Sequence, residues 1–233
     1  MTPHAGIAAI TEQIRPQSAE SASRKRTKQG EQTRQLILQA AVQMASREGL
    51  ESLSIGKLAA ELNMSKSGLF AHFKSKEDLQ ISTIAEACSL FNEEVLYPAL
   101  AVEKGVKRLW KLCKGWLRYG DREASHGGCF FTNVASEYDG RSGPVRDVVA
   151  QTMQDWLQCM QRLLKQAQDT GELRKDADVE QLAFEFNALF FGASLAFQLS
   201  MDPSTGRRMK TAVKSKLLSV AVSPKKLETL LPM

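Results

Sequence analysis

Apolar residues recur every three or four positions through most of the chain, which is the spacing of amphipathic helices. The pattern begins near Thr33, where Ile37, Ala41 and Met44 fall on one face and glutamines fall on the other. The sequence has no run of alternating β-branched residues, no hairpin turn and no internal repeat. The pattern therefore predicts an all-α fold.

Glycine and serine residues divide the N-terminal part into consecutive short helices. Gly49 ends the first predicted helix, and Ser54, Ser65 and Ser75 stand where the N-caps of the next three belong. A tight turn at residues 63–65 joins the second helix to the third. A supporting helix followed by two short helices across such a turn is typical of a helix-turn-helix.

The remaining sequence predicts longer helices over residues 76–96, 144–167, 178–200 and 203–220. The first of them is expected to end before Pro98, because the residue that precedes a proline avoids helical backbone. Helix 178–200 carries apolar residues on two sides, and a helix of this kind is buried on two sides. In a chain of this size, we expect a second subunit to cover one of them.

A helix-turn-helix buries the apolar residues between its short helices and leaves the outer face of the second one free to enter a DNA major groove. Helix N-termini nearby offer backbone N–H groups to phosphates. The sequence places small, hydroxyl and basic side chains at these positions. The predicted DNA contacts are Thr33, Ser54, Ser65, Lys66, Ser67, Gly68, Phe70, Ala71 and Lys76.

Basic residues outnumber acidic residues by 31 to 26, which gives a net charge of +5. The excess is concentrated in the first third, where Arg24, Lys25, Arg26 and Lys28 lie close together. Residues 1–29 are rich in serine, glutamine and charge, so they predict a disordered basic arm. Such an arm is attracted to phosphates at any DNA sequence. A solvated tail that only aids solubility is the alternative.

Residues 33–79 resemble the DNA-binding domain of tetracycline-repressor-type (TetR) transcriptional regulators. This stretch has the sequence TRQLILQAAVQMASREGLESLSIGKLAAELNMSKSGLFAHFKSKEDL. The matching positions are Ile37, Ala40, Ala41, Gly49, Ile55, Leu58, Ala59, Met64, Ser65, Leu69-Phe70-Ala71-His72-Phe73 and Ser75-Lys76-Glu77. They follow one another in the family's order across the whole helix-turn-helix.

The resemblance implies a homodimer in which each subunit has a three-helix DNA-binding domain at residues 30–80. It also implies a C-terminal helical domain at residues 81–233 that dimerises and binds a small molecule. It favours DNA phosphates as the partners of His72 and Lys76. Capping of helix carbonyls by His72 and a plain surface position for Lys76 are the alternatives.

Two positions depart from the family pattern. Phe70 stands where a tyrosine is common, so it lacks the hydroxyl that touches a phosphate and either contacts a thymine methyl or packs. Gly56 stands early in the second helix, where a larger polar residue is usual. This glycine weakens the helix by up to about 1 kcal/mol relative to alanine.

The C-terminal part is rich in aromatic and soft side chains, which form the walls of pockets for apolar compounds. The predicted ligand contacts are Trp110, Cys113, Trp116, Phe131, Tyr138, Met153 and Trp156. Asn133 and Glu137 join Tyr138 as candidate polar anchors. Aromatic residues at helical spacing also form ordinary cores, so a place in the core is the alternative for each of them.

The sequence offers little material for catalysis or metal binding. Its four cysteines form no C-x-x-C pair and it has three histidines, so we expect no metal site, no cofactor and structural rather than redox-sensing cysteines. The common nucleophile, phosphate-loop and dinucleotide motifs are absent, so we expect no enzyme. Without a signal peptide or an apolar stretch of bilayer length, we predict a cytoplasmic protein that does not contact a membrane.

These observations predict a sequence-specific transcriptional regulator. We expect a homodimeric repressor that binds a quasi-palindromic operator in double-stranded DNA and is released by a small apolar or aromatic effector. Helices 144–167 and 178–200 are predicted to form the dimer contact as a four-helix arrangement, and the helix that starts at Lys76 is predicted to move. The alternative is a DNA-binding or DNA-organising protein without an effector, and activation in place of repression stays open.

Overall fold

The computed structural model describes residues 21–124, 127–200 and 202–232. Within these ranges the regular structure is helical, and the β-type pairing is an isolated bridge between Leu173 and Ala221, so the predicted all-α fold is confirmed. The N-terminal helices are α1 (Ser21–Glu48), α2 (Ile55–Glu61), α3 (Lys66–Phe70) and α4 (Lys76–Phe91). The C-terminal helices are α5 (Tyr97–Leu100), α6 (Val106–Ala124), α7 (Phe130–Tyr138), α8 (Pro144–Asp169), α9 (Val179–Leu199), α10 (Thr205–Ser219) and α11 (Pro224–Leu230).

Helices α1 to α4 pack around one apolar core, which α7 and the start of α8 complete. Leu58 on α2, Leu69 on α3 and Phe73 just after α3 have no exposed surface. Asn63 turns the chain between α2 and α3 with a positive φ of 51°, a conformation that asparagine adopts more readily than most residues. The predicted helix-turn-helix is therefore present, with the turn where the sequence placed it.

The three predicted serine N-caps are also confirmed. The Oγ atoms of Ser54, Ser65 and Ser75 accept hydrogen bonds from the N–H groups of Lys57, Gly68 and Asp78 at 3.2, 3.0 and 3.0 Å. A serine at this position stabilises a helix by about 1 kcal/mol relative to alanine. The start of each of these helices is thus fixed by its own local sequence.

The helix that begins at Lys76 does not end before Pro98, which corrects the prediction. α4 passes into a π-helical turn at Asn92–Leu96, and α5 follows directly. The N–H of Tyr97 donates to the carbonyl of Asn92, five residues back. Pro98 stands in the first turn of α5, where its missing N–H costs no hydrogen bond. The π-helical turn thus lets the helix continue past the proline.

α1 begins earlier than the sequence indicated. Residues 21–29, which we assigned to a disordered arm, form its first turns, and residues 1–20 of that arm lie outside the described residues. Once a helix is nucleated, each further residue adds a hydrogen bond at low cost. Lysine, arginine and glutamine are good helix formers, so α1 extends beyond the part that packs in the core.

The C-terminal helices share a second apolar core. Trp110 on α6, Met160 on α8 and Phe186 on α9 are among its largest buried side chains. α10 packs against α9 and α6, and α11 closes over α6. The amphipathic stripe predicted for α8 is buried along the helix, at Val145, Trp156 and other positions of the same face.

α9 is apolar on two sides, as the sequence indicated. It is long and apolar enough to cross a membrane by length and composition alone, a test that core helices of soluble proteins also pass, and 33% of its most apolar window is buried. The inner side contributes Phe186 and Phe190 to the core. The outer side leaves Phe184 61%, Leu195 46% and Leu199 82% exposed in this single chain.

Candidate functional site

The outer face of α3 presents the predicted DNA contacts together. Leu69 points into the core and is fully buried. Lys66, Ser67 and Ala71 are exposed around it, and Phe70 is 57% exposed. A large apolar ring held in water on a helix of this size has no packing role within the chain, so the surface position is favoured over the packed one for Phe70.

Short side chains and close caps shape this surface. Ser65 Oγ accepts from the N–H of Gly68 and lies 3.1 Å from Ser67 Oγ. A Cβ atom at Gly68 would come within 3.1 Å of that same oxygen, so the glycine lets the cap close. Ser54 caps α2, and Thr33 Oγ1 donates to the carbonyl of Gln29 on α1 at 2.9 Å. These two hydroxyls are therefore held by their own helices.

Gly56 has a structural explanation that the sequence did not reveal. A Cβ atom placed there would meet Lys66 Cε at 3.5 Å and Lys66 Nζ at 3.9 Å. The stem of Lys66 therefore runs across α2 at the glycine, and a longer side chain would displace it. Gly56 thus lowers the helix propensity of α2, but it leaves room for the side chain of Lys66, which is predicted to contact DNA.

Lys76 and His72 lie at the edge of the α3 surface. Lys76 Nζ donates to Glu51 Oε1 at 2.7 Å, with both side chains more than two-fifths exposed, 44% and 43%. Exposed ion pairs contribute little to stability, so this one holds Lys76 only weakly. The His72 ring is half-buried and makes no hydrogen bond to another described residue. The carbonyl-capping alternative for His72 thus has no partner in the described part of the chain.

Glu51, in the loop between α1 and α2, is the centre of a polar network that sequence analysis missed. Its Oε2 accepts from the Tyr138 hydroxyl at 3.0 Å and from Gln80 Nε2 at 3.3 Å, and Arg141 Nη1 lies 3.2 Å away. The hydrogen bond from Lys76 is the main cause that lowers the pKa of Glu51. Glu51 is therefore a carboxylate at neutral pH and ties α4 and α7 to the DNA-binding domain.

A second carboxylate strengthens the same junction. Glu137, near the end of α7, accepts from the N–H of Leu50 at 2.7 Å and from the N–H of Glu51 at 3.0 Å. Asn133 on α7 donates to the carbonyl of Ser46 at 3.0 Å. Hydrogen bonds to charged groups contribute about 1.5–3 kcal/mol. α7 is thus fixed to the end of α1 and to the loop that leads into α2.

A small cavity, partly open to solvent, lies in the C-terminal domain at the opposite end of α7. It has a volume of about 40 Å³ for water-sized molecules, whereas an apolar cavity that binds benzene measures about 150 Å³. Its lining is mainly aromatic and contains no charged side chain among the described residues. The lining residues are Phe91, Trp116, Cys129, Phe131, Thr132, Thr152, Met153, Trp156, Asn187, Phe190 and Phe191.

The cavity includes four of the seven predicted ligand contacts. Trp116, Phe131, Met153 and Trp156 line it, and their elements are α6, α7 and α8. The other three lie outside this cavity. They are Trp110, whose Nε1 donates to the carbonyl of Pro232 at 2.9 Å, Cys113 in the core, and Tyr138 in the Glu51 network.

Helical geometry explains why these three side chains do not line the cavity. Trp110 lies about 120° around α6 from Trp116, Cys113 shares a side with Trp116 but stands one turn earlier, and Tyr138 is two turns from Phe131 along α7. The predicted anchors Asn133 and Glu137 belong to the junction described above. Aromatic character alone does not reveal which face of a helix borders a cavity.

The polar groups of the cavity are neutral. The polar residues that line the cavity are Thr132, Thr152 and Asn187, not the predicted anchors Asn133, Glu137 and Tyr138. Thr152 Oγ1 donates to the carbonyl of Val148 at 2.8 Å. Asn187 Oδ1 is buried and has no hydrogen-bond partner among the described residues. A buried acceptor left without a donor costs about 1–3 kcal/mol, so a donor in the cavity would be bound favourably.

Cys113, Cys129 and Cys159 are buried, Cys88 is partly buried, and none of them forms a disulfide among the described residues. Burial raises the pKa of Cys88 and of Cys113 to about 12. It also raises the pKa of the Cys129 and Cys159 thiols. Because the thiolate is the reactive form, these environments favour structural roles. His126, three residues before Cys129 in the sequence, lies outside the described residues.

No group of three or more possible metal ligands occurs in the part of the chain that the structure describes. An apolar surface is more informative. A groove of about 740 Å³ along α9 and α10 is lined mainly by small and apolar residues, with charged side chains at Glu185, Asp202, Arg208 and Lys216. The exposed Phe184 lines it as well, and Leu195 and Leu199 are exposed on the same helix. The outward positions of α8, such as Gln151, are polar.

Two family descriptions match the chain. Residues 37–83 match the bacterial regulatory proteins of the tetR family, and residues 105–213 match the tetracyclin repressor-like C-terminal domain. The first range contains the helix-turn-helix and the first half of α4. The second contains the cavity-lining parts of α6 to α9 and most of α10. Together the two ranges cover about two thirds of the chain.

Curated relatives and solved structures agree with these matches. The transcriptional regulator AcuR of Cereibacter sphaeroides is 22% identical over 174 residues, which are 72% of this chain and 78% of AcuR. A TetR transcriptional regulator from Chloroflexus aurantiacus has a TM-score of 0.75 at 22% identity and covers 83% of this chain and 98% of its own. A regulator from Saccharomonospora viridis in complex with choline has a TM-score of 0.68 at 20% identity, with coverages of 83% and 100%.

Proposed function

The chain belongs to the tetR family of bacterial regulatory proteins, and from that premise we propose that it is a repressor released from its operator by a small uncharged effector. Regulators of this family are DNA-binding transcription factors, not enzymes. The repressor role, the class of effector and a cytoplasmic location are our proposal. The observation that carries the proposal is a double connection between the cavity and the DNA-binding domain.

The connection runs through α4 and α7. Phe91, at the end of α4, lines the cavity, while Lys76 and Gln80 at its start bond to Glu51 and Leu50. α7 repeats this arrangement. Its first turn carries the cavity residues Phe131 and Thr132, and its last turn carries Glu137 and Tyr138 at the Glu51 junction. A molecule in the cavity that displaces α4 or α7 therefore also displaces the other end of that helix, which is bonded to the helix-turn-helix.

The cavity selects an effector by size and charge. At about 40 Å³ it is smaller than a benzene-binding cavity, so a larger compound requires movement of its walls. Among the described lining residues no charged side chain would balance a charge on the effector, and an unpaired buried charge is costly. Aromatic walls with one free acceptor, Asn187 Oδ1, favour a small, mostly apolar molecule that donates one hydrogen bond.

Family members act as dimers, and we assign the dimer contact to α9 and α10. This differs from the sequence prediction, which paired α9 with α8. The exposed apolar side chains are on α9, and the groove beside them is completed by Met209 and Ala212 of α10. The outward face of α8 is polar. A pair of α9–α10 faces makes a four-helix contact that removes the exposed apolar surface from water.

In the dimer, the two α3 surfaces would meet successive major-groove faces about 34–36 Å apart on a quasi-palindromic operator. Lys66 and Ser67 are placed to contact DNA there, with Phe70 against a thymine methyl and His72 and Lys76 toward phosphates. An effector shifts the balance between two conformations only by its difference in affinity for them. An effector that binds more tightly to a dimer whose two α3 helices are no longer about 34–36 Å apart therefore releases the DNA.

The test combines DNA binding with fluorescence of the cavity. Fluorescence anisotropy measures binding of the dimer to the DNA upstream of its own gene and to scrambled DNA, at several salt concentrations. We expect affinity at least about a thousandfold higher for the operator. In Trp110→Phe the two remaining tryptophans both line the cavity, so their emission reports occupancy directly.

Probes of similar size but different charge identify the effector class. We expect 1-propanol to change the emission of Trp110→Phe and to weaken operator binding, and propionate to do neither. Choline tests whether the aromatic walls hold a cation, as the ligand named for the Saccharomonospora structure suggests; binding of choline alone would overturn the neutral-effector assignment. Specific DNA binding with no response to any probe would favour a regulator without an effector. Equal binding to both DNAs would favour a DNA-organising protein.

A further inference from the structure

A groove between α6 and α10 collects basic side chains that DNA binding does not explain. Its volume is about 830 Å³, within the usual range of ligand pockets. Lys111, Lys114 and Arg118 border it from α6, and Arg207 and Lys210 border it from α10. In each helix these residues are three or four positions apart, so they form two stripes that face each other.

The five cations have no close acidic partner among the described residues. None of them forms an ion pair within 4 Å there, whereas the described residues form twelve such pairs among other side chains. Lys111, Lys114 and Lys210 are also partly buried. Like charges gathered in a partly buried site repel one another and raise the free energy of the unoccupied protein. A bound anion removes this cost.

The two acidic residues of the groove offset the basic ones only in part, because Arg207 attracts Asp202 without forming a close ion pair. Asp202 accepts from the N–H of Ser204 at 2.8 Å and from its hydroxyl at 2.7 Å, and its nearest cation is Arg208, outside the groove, at 3.9 Å. Asp121 is exposed. The groove as a whole therefore keeps an excess of three positive charges.

The floor of the groove is apolar. Leu117, Phe197, Pro203 and Gly206 lie between the two basic stripes. A Cβ atom at Gly206 would stand 3.8 Å from Phe197 Cζ, so the glycine adds no side chain beside that end of the ring. A ligand that fits has anionic groups for the rim and a flat apolar part for the floor.

We infer that this groove binds a small molecule that combines phosphate groups with an aromatic ring, as a nucleotide does. Lys111, Lys114, Arg118, Arg207 and Lys210 would hold the phosphates, and Phe197 would stack against the ring. The site is separate from the cavity, because the two share no lining residue. Its occupant would clamp α10, which carries part of the proposed dimer contact, onto α6.

A concave site favours a small molecule over a DNA duplex. DNA-binding surfaces project side chains outward to a phosphate backbone, as the α3 surface does. Here the charges surround a recess, and they lie on helices of the C-terminal domain that are not part of the helix-turn-helix.

Isothermal titration calorimetry of the full-length protein, in the absence of DNA, tests the assignment with ATP, pyrophosphate and adenosine. We expect ATP to bind with a Kd below about 1 mM, pyrophosphate to bind more weakly, and adenosine not to bind measurably. The absence of heat with both ATP and pyrophosphate overturns the proposal. Because no operator or cavity ligand is used, failure here leaves the proposed repressor function intact.

A matched pair of variants separates a built site from general charge. Lys111→Gln with Lys210→Gln removes two groove cations, and we expect at least a tenfold loss of ATP affinity. Lys107→Gln with Lys225→Gln makes the same change in net charge at exposed positions outside the groove, and should alter the Kd less than twofold. Equal losses in both variants overturn the proposal. A second outcome also overturns the proposal. If a non-operator duplex displaces ATP, and if only the groove variant binds that duplex more weakly, the groove is a DNA contact.

Discussion

The two halves of this regulator place their functional residues in opposite ways. The DNA-binding domain exposes its residues on one five-residue helix, with Phe70 held in water at 57% exposure. The C-terminal domain encloses its cavity residues between α4, α6, α7, α8 and α9. The first surface depends on local caps and one turn. The second exists only when five helices have packed, so a change anywhere in that core alters it.

The largest expected effect comes from the exposed apolar face of α9, the proposed dimer contact. Phe184→Arg with Leu195→Arg places like charges on the exposed face of α9 and across the proposed dimer contact. We expect monomers in sedimentation-velocity experiments and a loss of operator affinity of at least about a thousandfold, because specific binding then falls toward the non-specific level. Each half should stay folded, since both side chains are exposed.

The control uses α8, the helix that the sequence placed in the contact. Gln151→Arg with Gln154→Arg adds the same charge to an exposed polar face. This variant should remain dimeric and bind the operator as the parent does. If it becomes monomeric while the α9 variant stays dimeric, the dimer contact lies on α8 and the structural assignment is wrong.

A smaller effect is expected at the DNA-binding surface, where one cation is removed from an exposed helix. Lys66→Ala should cost about 1–3 kcal/mol of operator binding and change the salt slope by about one. Anisotropy titrations over a range of salt concentrations measure both quantities. Lys57→Ala, at an exposed position on α2 that pairs with Glu48, is the matched control. Equal effects at the two positions would mean that Lys66 contributes only general charge.

The same contrast explains how far the sequence predicts this protein. The caps at Ser54, Ser65 and Ser75 and the turn at Asn63 were predictable, because each depends on residues a few positions apart. The DNA-contact residues followed from those elements, although their contacts with DNA stay predictions. Lys76 shows the limit, since its partner Glu51 is far away in sequence and only the fold brings them together.

Cavity residues were predicted less well for a physical reason. Trp110 and Trp116 are both aromatic, both on α6 and both buried, yet only Trp116 borders the cavity. Periodicity identifies the buried faces of a helix but not the space beyond each face. Asn187 was missed because a lone asparagine within an apolar helix carries no pattern, and its free oxygen became visible only in the packed core.

The smallest expected effect tests the link between the two halves. Tyr138→Phe removes the hydroxyl that donates to Glu51 at 3.0 Å and keeps the ring under Arg141. Operator affinity without effector should change little, because Glu137 still holds α7 to the loop. The coupling between effector and DNA should fall by about 0.5–2 kcal/mol, seen as a smaller ratio of operator Kd values with and without the cavity probe.

Tyr119→Phe, on a buried tyrosine of α6 outside the Glu51 network, should keep the parent ratio. An unchanged ratio in Tyr138→Phe would mean that the hydrogen bond from Tyr138 to Glu51 carries no coupling, so that any coupling through α7 depends on the bonds of Glu137 and Asn133, which this variant keeps.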